Sequence, residues 1–170
     1  MNHDKRTLER IAEIHGPRVL AYLARRTTSP DDAADVFQAV LIVAWRRLPD
    51  ISDDEQAAIA WLLGTARRCL ANHRRGHTRR LEATERLRHT IHIREPELLA
   101  GQSAVVEEAL ASLGAADREL LTLIYWEDLT TEQAATVLNI APAAARKRLE
   151  RARTRLRLAL QTNSAPEHVS

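Results

Sequence analysis

Apolar positions recur at helical spacing through most of this chain. Leu8, Ile11, Ala12, Ile14, Val19, Leu20, Tyr22 and Leu23 share one broad face and predict an opening helix to about Arg26. Pro17 falls inside it, and its missing N–H and bulky ring are expected to split or kink that helix. A second helix starts at Ser29-Pro30-Asp31-Asp32: serine caps, proline suits the first turn, and two acids meet the positive end of the helix dipole. Val36, Phe37, Val40, Leu41, Val43, Ala44 and Leu48 give it an apolar face, and Pro49 is expected to stop it near Leu48. A third helix should run from about Glu55 through Trp61, Leu62, Ala66 and Leu70 into a basic stretch.

From about Ile91 to Ser103 the periodicity fails, and Pro96, Gly101, Gln102 and Ser103 mark a flexible linker. Helical spacing resumes in VVEEALASL, breaks at Gly114, and returns in ADRELLTLIYWEDL, with Leu120, Leu121, Leu123, Ile124 and Trp126 as core candidates. Thr130-Thr131-Glu132-Gln133 has the pattern of a capping box, with Thr130 as N-cap. The short helix it opens should end near Leu138, with Asn139 supplying a left-handed turn and Pro142 starting a last helix. The spacing from Thr131 to Leu149 is that of a helix-turn-helix: Ala135 is small where the helices cross, and Leu138, Ile140 and Leu149 fill the space between them. The expected architecture is all-α, in two small helical domains: residues 1–90, a linker at 91–103, a helix-turn-helix domain at 104–162, and a disordered tail at 163–170.

Composition agrees with helices. Of 170 residues 45% are hydrophobic and 28% charged, with five glycines and six prolines, so little of the chain is suited to loops or strands. No apolar run is long enough to cross a bilayer and the first residues carry no secretory signal; the single cysteine, Cys69, fits a reducing compartment. A cytoplasmic protein without membrane insertion is expected.

The net charge is only +2, but charge is segregated. Between Glu95 and Thr136 nine acids face one base, Arg118. Two stretches are basic instead: from Gly64 to Arg94, Arg67, Arg68, Arg74, Arg75, Arg79, Arg80, Arg86, Arg88 and Arg94, and in the last helix Arg146, Lys147, Arg148, Arg151, Arg153, Arg155 and Arg157. Separated basic stretches on helical units suggest two contacts with a polyanion, although solvated helix faces would show the same pattern. Within the last helix, Arg146, Lys147 and Glu150 stand where a recognition helix meets base edges, and Arg148, Arg151 and Arg153 suit phosphates.

Candidate enzyme chemistry is thin. His73 and His77 have the i, i+4 spacing of metal ligands, but Arg74 and Arg75 flank His73 and disfavour a cation, so neither metal nor cofactor is expected. Cys69 and Trp61 suit the core of their helix better than a nucleophile or a stacking platform. There is no glycine-rich phosphate loop, and no enzymatic activity is expected.

The segment from Ala109 to Leu160, with its DRE opening, its acid and leucine before the capping box and its closing RLERARTRL, resembles region 4 of extracytoplasmic-function sigma factors of the sigma-70 family. Upstream, DAADVFQAVLIVAW (Asp32 to Trp45) is similar to region 2.2 of that family, and AWLLGTARRCLANHRRGHTRR (Ala60 to Arg80) to regions 2.3 and 2.4. The resemblance implies a transcription initiation factor that binds core RNA polymerase, at the β′ clamp helices and the β flap, and promoter DNA, with an anti-sigma factor as a further partner. It implies polymerase contacts from Asp32, Asp35, Gln38, Leu41, Ile42 and Trp45. Contacts to the −10 element would come from Arg67, Arg68, Asn72, Arg74, Arg75, Arg79 and Arg80, helped by the loop from Leu48 to Ala57. The −35 element would be read by Arg146, Lys147 and Glu150, with Arg148, Arg151 and Arg153 on the backbone. Ala34, Ala39, Leu41 and Ile42 depart from the family pattern and make the docking helix more apolar. The alternatives are a polymerase-independent helix-turn-helix regulator, and a protein that only packs its 36–48 face on a partner.

Overall fold

The structure, a computed structural model, describes residues 2–85 and 104–163, with side chains at 4–78 and 104–162. The expected linker at 91–103 lies outside the described residues, as does the tail from 164 onward. The described residues form α-helices joined by turns, without strands, in two compact units, one within Met1–Leu98 and one within Leu99–Ser170. No helix among them is long and apolar enough to cross a membrane.

The first unit is three mutually packed helices: α1 (Asn2–Ala24), α2 (Pro30–Arg46) and α3 (Glu55–Glu85). Its core takes Val19, Tyr22 and Leu23 from α1, Val36, Val40 and Ala44 from α2, and Ile59, Leu62, Leu63 and Ala66 from α3. α1 runs unbroken through Pro17, so the proline does not split the helix. Gly16, just before it, lies against α2, where a Cβ would stand 3.3 Å from Phe37 Cζ, so the missing side chain lets these helices approach closely.

The start of α2 follows the sequence expectation: Ser29 Oγ accepts from the Asp32 N–H at 3.0 Å and Pro30 occupies the first turn. Its end comes at Arg46, and Pro49 sits inside a 3-10 turn over Leu48–Asp50. Asp54 Oδ1 then accepts from the Ala57 N–H at 2.7 Å and opens α3. Buried Arg26 stacks on Tyr22, 3.7 Å from the ring centroid, and its carbonyl accepts 2.6 Å from Arg74 Nη2, fastening the end of α1 to α3.

The second unit holds α4 (Ala104–Ala111), α5 (Ala115–Tyr125), α6 (Thr131–Leu138) and α7 (Pro142–Asn163). Leu120, Leu121 and Leu123 are buried, whereas Ile124 and Trp126 are partly exposed. Arg118, the one base of its acidic stretch, reaches back past the end of α4 and donates to the carbonyls of Leu110, Ala111 and Leu113, adding donors where the helix runs out of its own. The capping box is complete, with Gln133 N–H on Thr130 Oγ1 at 3.2 Å and Thr130 N–H on Gln133 Oε1 at 2.8 Å. Asn139 closes α6 in the left-handed region at φ 55°, and the Ile140 N–H returns to Ala135 O at 3.0 Å. α6 packs on α7, and small residues predominate among their buried positions: Ala134, Ala135, Val137 and Leu138 on α6, Ala145, Leu149 and Ala152 on α7.

Candidate nucleic-acid and partner interfaces

The outward face of α7 sorts its basic run. At about 100° per residue, Arg146, Glu150, Arg153 and Arg157 lie on one flank and Arg148, Arg151 and Arg155 on the other, with Lys147 between them at the solvent pole. Ala145, Leu149 and Ala152 point inward, so the helix can turn neither flank away from solvent without losing its core contacts.

The two flanks are tethered differently. Arg146 Nη1 donates to Glu132 Oε1 at 2.9 Å, tying the start of α7 to the first turn of α6. Lys147 and Glu150 are exposed and face the same side. Arg153 Nε donates to Tyr125 Oη at 2.8 Å. On the opposite flank Arg155 Nη1 lies 2.6 Å from Asp117 Oδ2, and Arg148 Nε lies 3.9 Å from Asp117 Oδ1. Arg148 is half-buried, so part of its charge is already satisfied within the unit, whereas Arg151 remains exposed and reaches the Lys147 carbonyl. Sequence spacing marked the run as basic; it had no means of showing that Asp117, distant in the chain, sits between two of its arginines.

Beyond this surface a shallow groove of about 480 Å³ runs between the end of α5 and the second half of α7. Tyr125, Leu156 and Leu160 give it an apolar lining, with Arg153 and Arg157 at its edge. Sequence reading did not single out this groove, because Tyr125 and α7 meet only in the folded unit.

In the first unit the basic residues of α3 also divide. Arg68, Asn72 and Arg75, at i, i+4 and i+7, are exposed along one stripe, and Arg75 Nη2 bonds Asn72 Oδ1. Arg68 Nη2 donates to Thr65 Oγ1 at 2.9 Å. Arg67 is exposed on the neighbouring stripe, which it shares with Arg74, the residue fastened to Arg26. The side chains of Arg79 and Arg80 lie outside the described residues.

The α2 face separates in the same way. Asp35, Gln38, Ile42 and Trp45 project outward together, Ile42 with 53% and Trp45 with 43% of its surface exposed; Leu41 is half-buried beside them. Asp32 turns the other way. Its carboxylate accepts from Ser29 Oγ at 2.8 Å and Thr28 Oγ1 at 3.1 Å and lies 3.5 Å from His73 Nε2. The Ser29 hydroxyl above all, with Thr28 and the charges of His73 and His77, holds its pKa below the usual carboxylate value. Cys69 is half-buried, and burial pushes its thiol pKa up, which makes it a poorer nucleophile. Among the described residues no group of three or more His, Cys, Asp or Glu side chains is placed to hold a metal ion.

Comparison with known proteins matches both units. Residues 11–80 match the family described as Sigma-70 region 2, and residues 103–156 the family described as Sigma-70, region 4. The chain is 31% identical over 158 residues to the ECF RNA polymerase sigma factor SigL of Mycobacterium tuberculosis, covering 86% of this chain and 85% of that protein. Its structure is similar to CnrH, solved in complex with the cytosolic domain of CnrY, with TM-score 0.60 and 25% identity over 94% of this chain and 91% of that one. It also resembles the sigma factor RpoE in complex with the anti-sigma factor NepR from Bartonella quintana, with TM-score 0.62 and 23% identity over 95% and 98% of the two chains, a likeness of fold alone.

Proposed function

The chain belongs to the sigma-70 family as an extracytoplasmic-function RNA polymerase sigma factor, and on that premise we propose how its two units divide promoter recognition. Sigma factors are non-enzymatic initiation factors that direct core RNA polymerase to promoters, so the surfaces to be assigned are binding surfaces.

We infer that residues 1–90 act as region 2 and 104–162 as region 4, joined through 91–103. The outward face of α2 docks on the β′ clamp helices through Asp35, Gln38, Ile42 and Trp45, with Leu41 at its edge. What supports this is the exposure of two large apolar side chains beside polar ones, as in the centre of a protein interface. Asp32 contributes by bracing the Ser29 cap of α2, because its carboxylate accepts from Ser29 and Thr28 and lies beside His73. Arg67, Arg68, Asn72 and Arg75, continued by Arg79 and Arg80, hold the −10 strand by its phosphates, and Arg74 braces them.

Region 4 reads the −35 element with Arg146, Lys147 and Glu150, while Arg151 and Arg153 reach phosphates and Arg148 fixes the helix against Asp117. The observation that carries this assignment is that these three readers lie exposed on α7 while Ala145 and Leu149 lock the helix inward. The β flap occupies the groove of Tyr125, Leu156 and Leu160. Exposed docking residues such as Ile42 and Trp45 favour a covering partner in the free protein, and we infer an anti-sigma factor; CnrH was solved with a bound partner domain. The chain works in the cytoplasm, where polymerase is, and carries no catalysis of its own.

Run-off transcription with bacterial core RNA polymerase on a genomic promoter library tests the assignment. Discrete transcripts that depend on the chain and vanish when Arg146→Ala and Lys147→Ala are combined support it. Transcripts that survive the double substitution would move promoter reading away from α7.

A further inference from the structure

Arg146 does not leave α7 alone. It reaches across the helix-turn-helix to Glu132, fourteen residues earlier, and the position of Glu132 is itself tightly specified. Thr130 and Gln133 on either side of it are locked into the capping box, and α6 packs on α7 with Ala135 and Ala145 buried. The Glu132 carboxylate stands in the first turn of α6, where the helix dipole favours a negative charge. Both side chains are 59% exposed, and exposed ion pairs add little to folding stability. The consequence of this pair is therefore sought in where the guanidinium sits.

We propose that Glu132 is a positioning residue for sequence reading: by accepting from Arg146 Nη1 it sets the guanidinium so that the Nε–Nη2 edge meets a guanine in the major groove. That edge carries two parallel N–H donors, the match for guanine O6 and N7. An arginine already held in one rotamer loses less freedom on binding, so the gain falls on the matched base rather than on DNA in general. The inference rests on the reading of α7 as the −35 recognition helix.

The test uses holoenzyme assembled from core RNA polymerase and the full chain, with a duplex DNA library carrying a randomised segment; bound DNA is sequenced. Arg146→Ala should erase a guanine preference at one position. Glu132→Ala should weaken that same preference about tenfold and leave the other positions and holoenzyme assembly unchanged. Glu132→Gln, which keeps an acceptor oxygen without the charge, should stay within about twofold of the unsubstituted protein at that position. If Glu132→Ala retains the full preference, the proposal is overturned. It is equally overturned if both Glu132 variants shift every position together, since the carboxylate would then act only by repelling phosphates. An enriched sequence unaltered by Arg146→Ala would instead remove the reading of α7 on which the proposal stands.

Discussion

Asp117, in the first turn of α5, accepts from Arg155 Nη1 at 2.6 Å across 38 positions of sequence. Its side chain is only 12% exposed, whereas that of Arg155 is 60% exposed, so the carboxylate has more to lose than the arginine if the pair is broken. Asp117→Ala should destabilise the second unit by about 1–2 kcal/mol, less than a fully buried pair because water can solvate the released arginine. Calorimetry on the full chain checks the value. An unchanged transition would mean that hydrophobic packing alone sets the rotation of α7.

Asn139 holds φ 55°, ψ 49° at the turn between α6 and α7. A non-glycine residue with a Cβ and no short polar side chain is strained there. Asn139→Ala should cost about 1 kcal/mol, and Asn139→Gly should be neutral or slightly stabilising. Denaturant titration of the two variants should give opposite displacements relative to each other; equal midpoints would show that the turn tolerates another conformation.

His15 is buried in the first unit, and burial above all lowers its pKa below 6.5, with Arg18 adding to the effect and Glu55 opposing it. The folded state therefore binds this proton less readily than the unfolded chain. Stability from the neutral imidazole is fully present above pH 6.5 and is lost as pH falls through the lowered folded value. Replacing His15 with Gln should flatten the stability profile on this acidic side of neutrality. A slope identical to that of the unsubstituted protein would assign the pH dependence elsewhere. Asp32 acts lower still: its depressed pKa gives stability present above 3.8 and lost on further acidification.

Arg74 and Arg67 share a stripe of α3 but not a role. Arg74 Nη2 holds the Arg26 carbonyl, so Arg74→Ala should lower the stability of the first unit by about 1–2 kcal/mol, through a lost charged hydrogen bond. Arg67 is exposed, and Arg67→Ala should leave stability within about 0.5 kcal/mol while weakening binding to single-stranded DNA in holoenzyme. Melting curves alongside salt-dependent binding separate the two effects; parallel losses in both variants would argue against the division.

Ile42 and Trp45 give the corresponding separation for polymerase. Ile42→Asp should lower affinity for core polymerase at least about tenfold with little change in folding, because the side chain is already exposed. Competition against unlabelled chain measures it, and undiminished affinity would place the docking face elsewhere on the first unit.

Local signals were legible from the amino-acid sequence wherever they are self-contained. Ser29 with Pro30, Thr130 with Gln133, and Asn139 each complete their geometry within a few residues, and each appears in the structure as the pattern implies. Pro17 lies within an unbroken α1, and α2 ends at Arg46, two residues short of the expected Leu48, with Pro49 in the 3-10 turn that follows. The residues proposed for the interfaces could be marked from the sequence as a set, but which of them the fold engages internally could not. Asp32 turned toward His73, Arg74 spent on Arg26, Arg118 closing α4, and Asp117 between Arg148 and Arg155 all depend on pairings between helices that periodicity does not encode.

The helix-turn-helix pair buries Ala134 and Ala135 on α6 and Ala145 and Ala152 on α7, beside Val137, Leu138 and Leu149. Alanine has no side-chain rotamers to reset, so a change on the outer face of α7 meets few inward side chains that could shift in response. Such a joint uncouples two histories. The residues proposed to address a promoter could be rewritten one at a time while the scaffold beneath them stays as it was, whereas enlarging any of the four alanines would overpack the ground on which all of them stand.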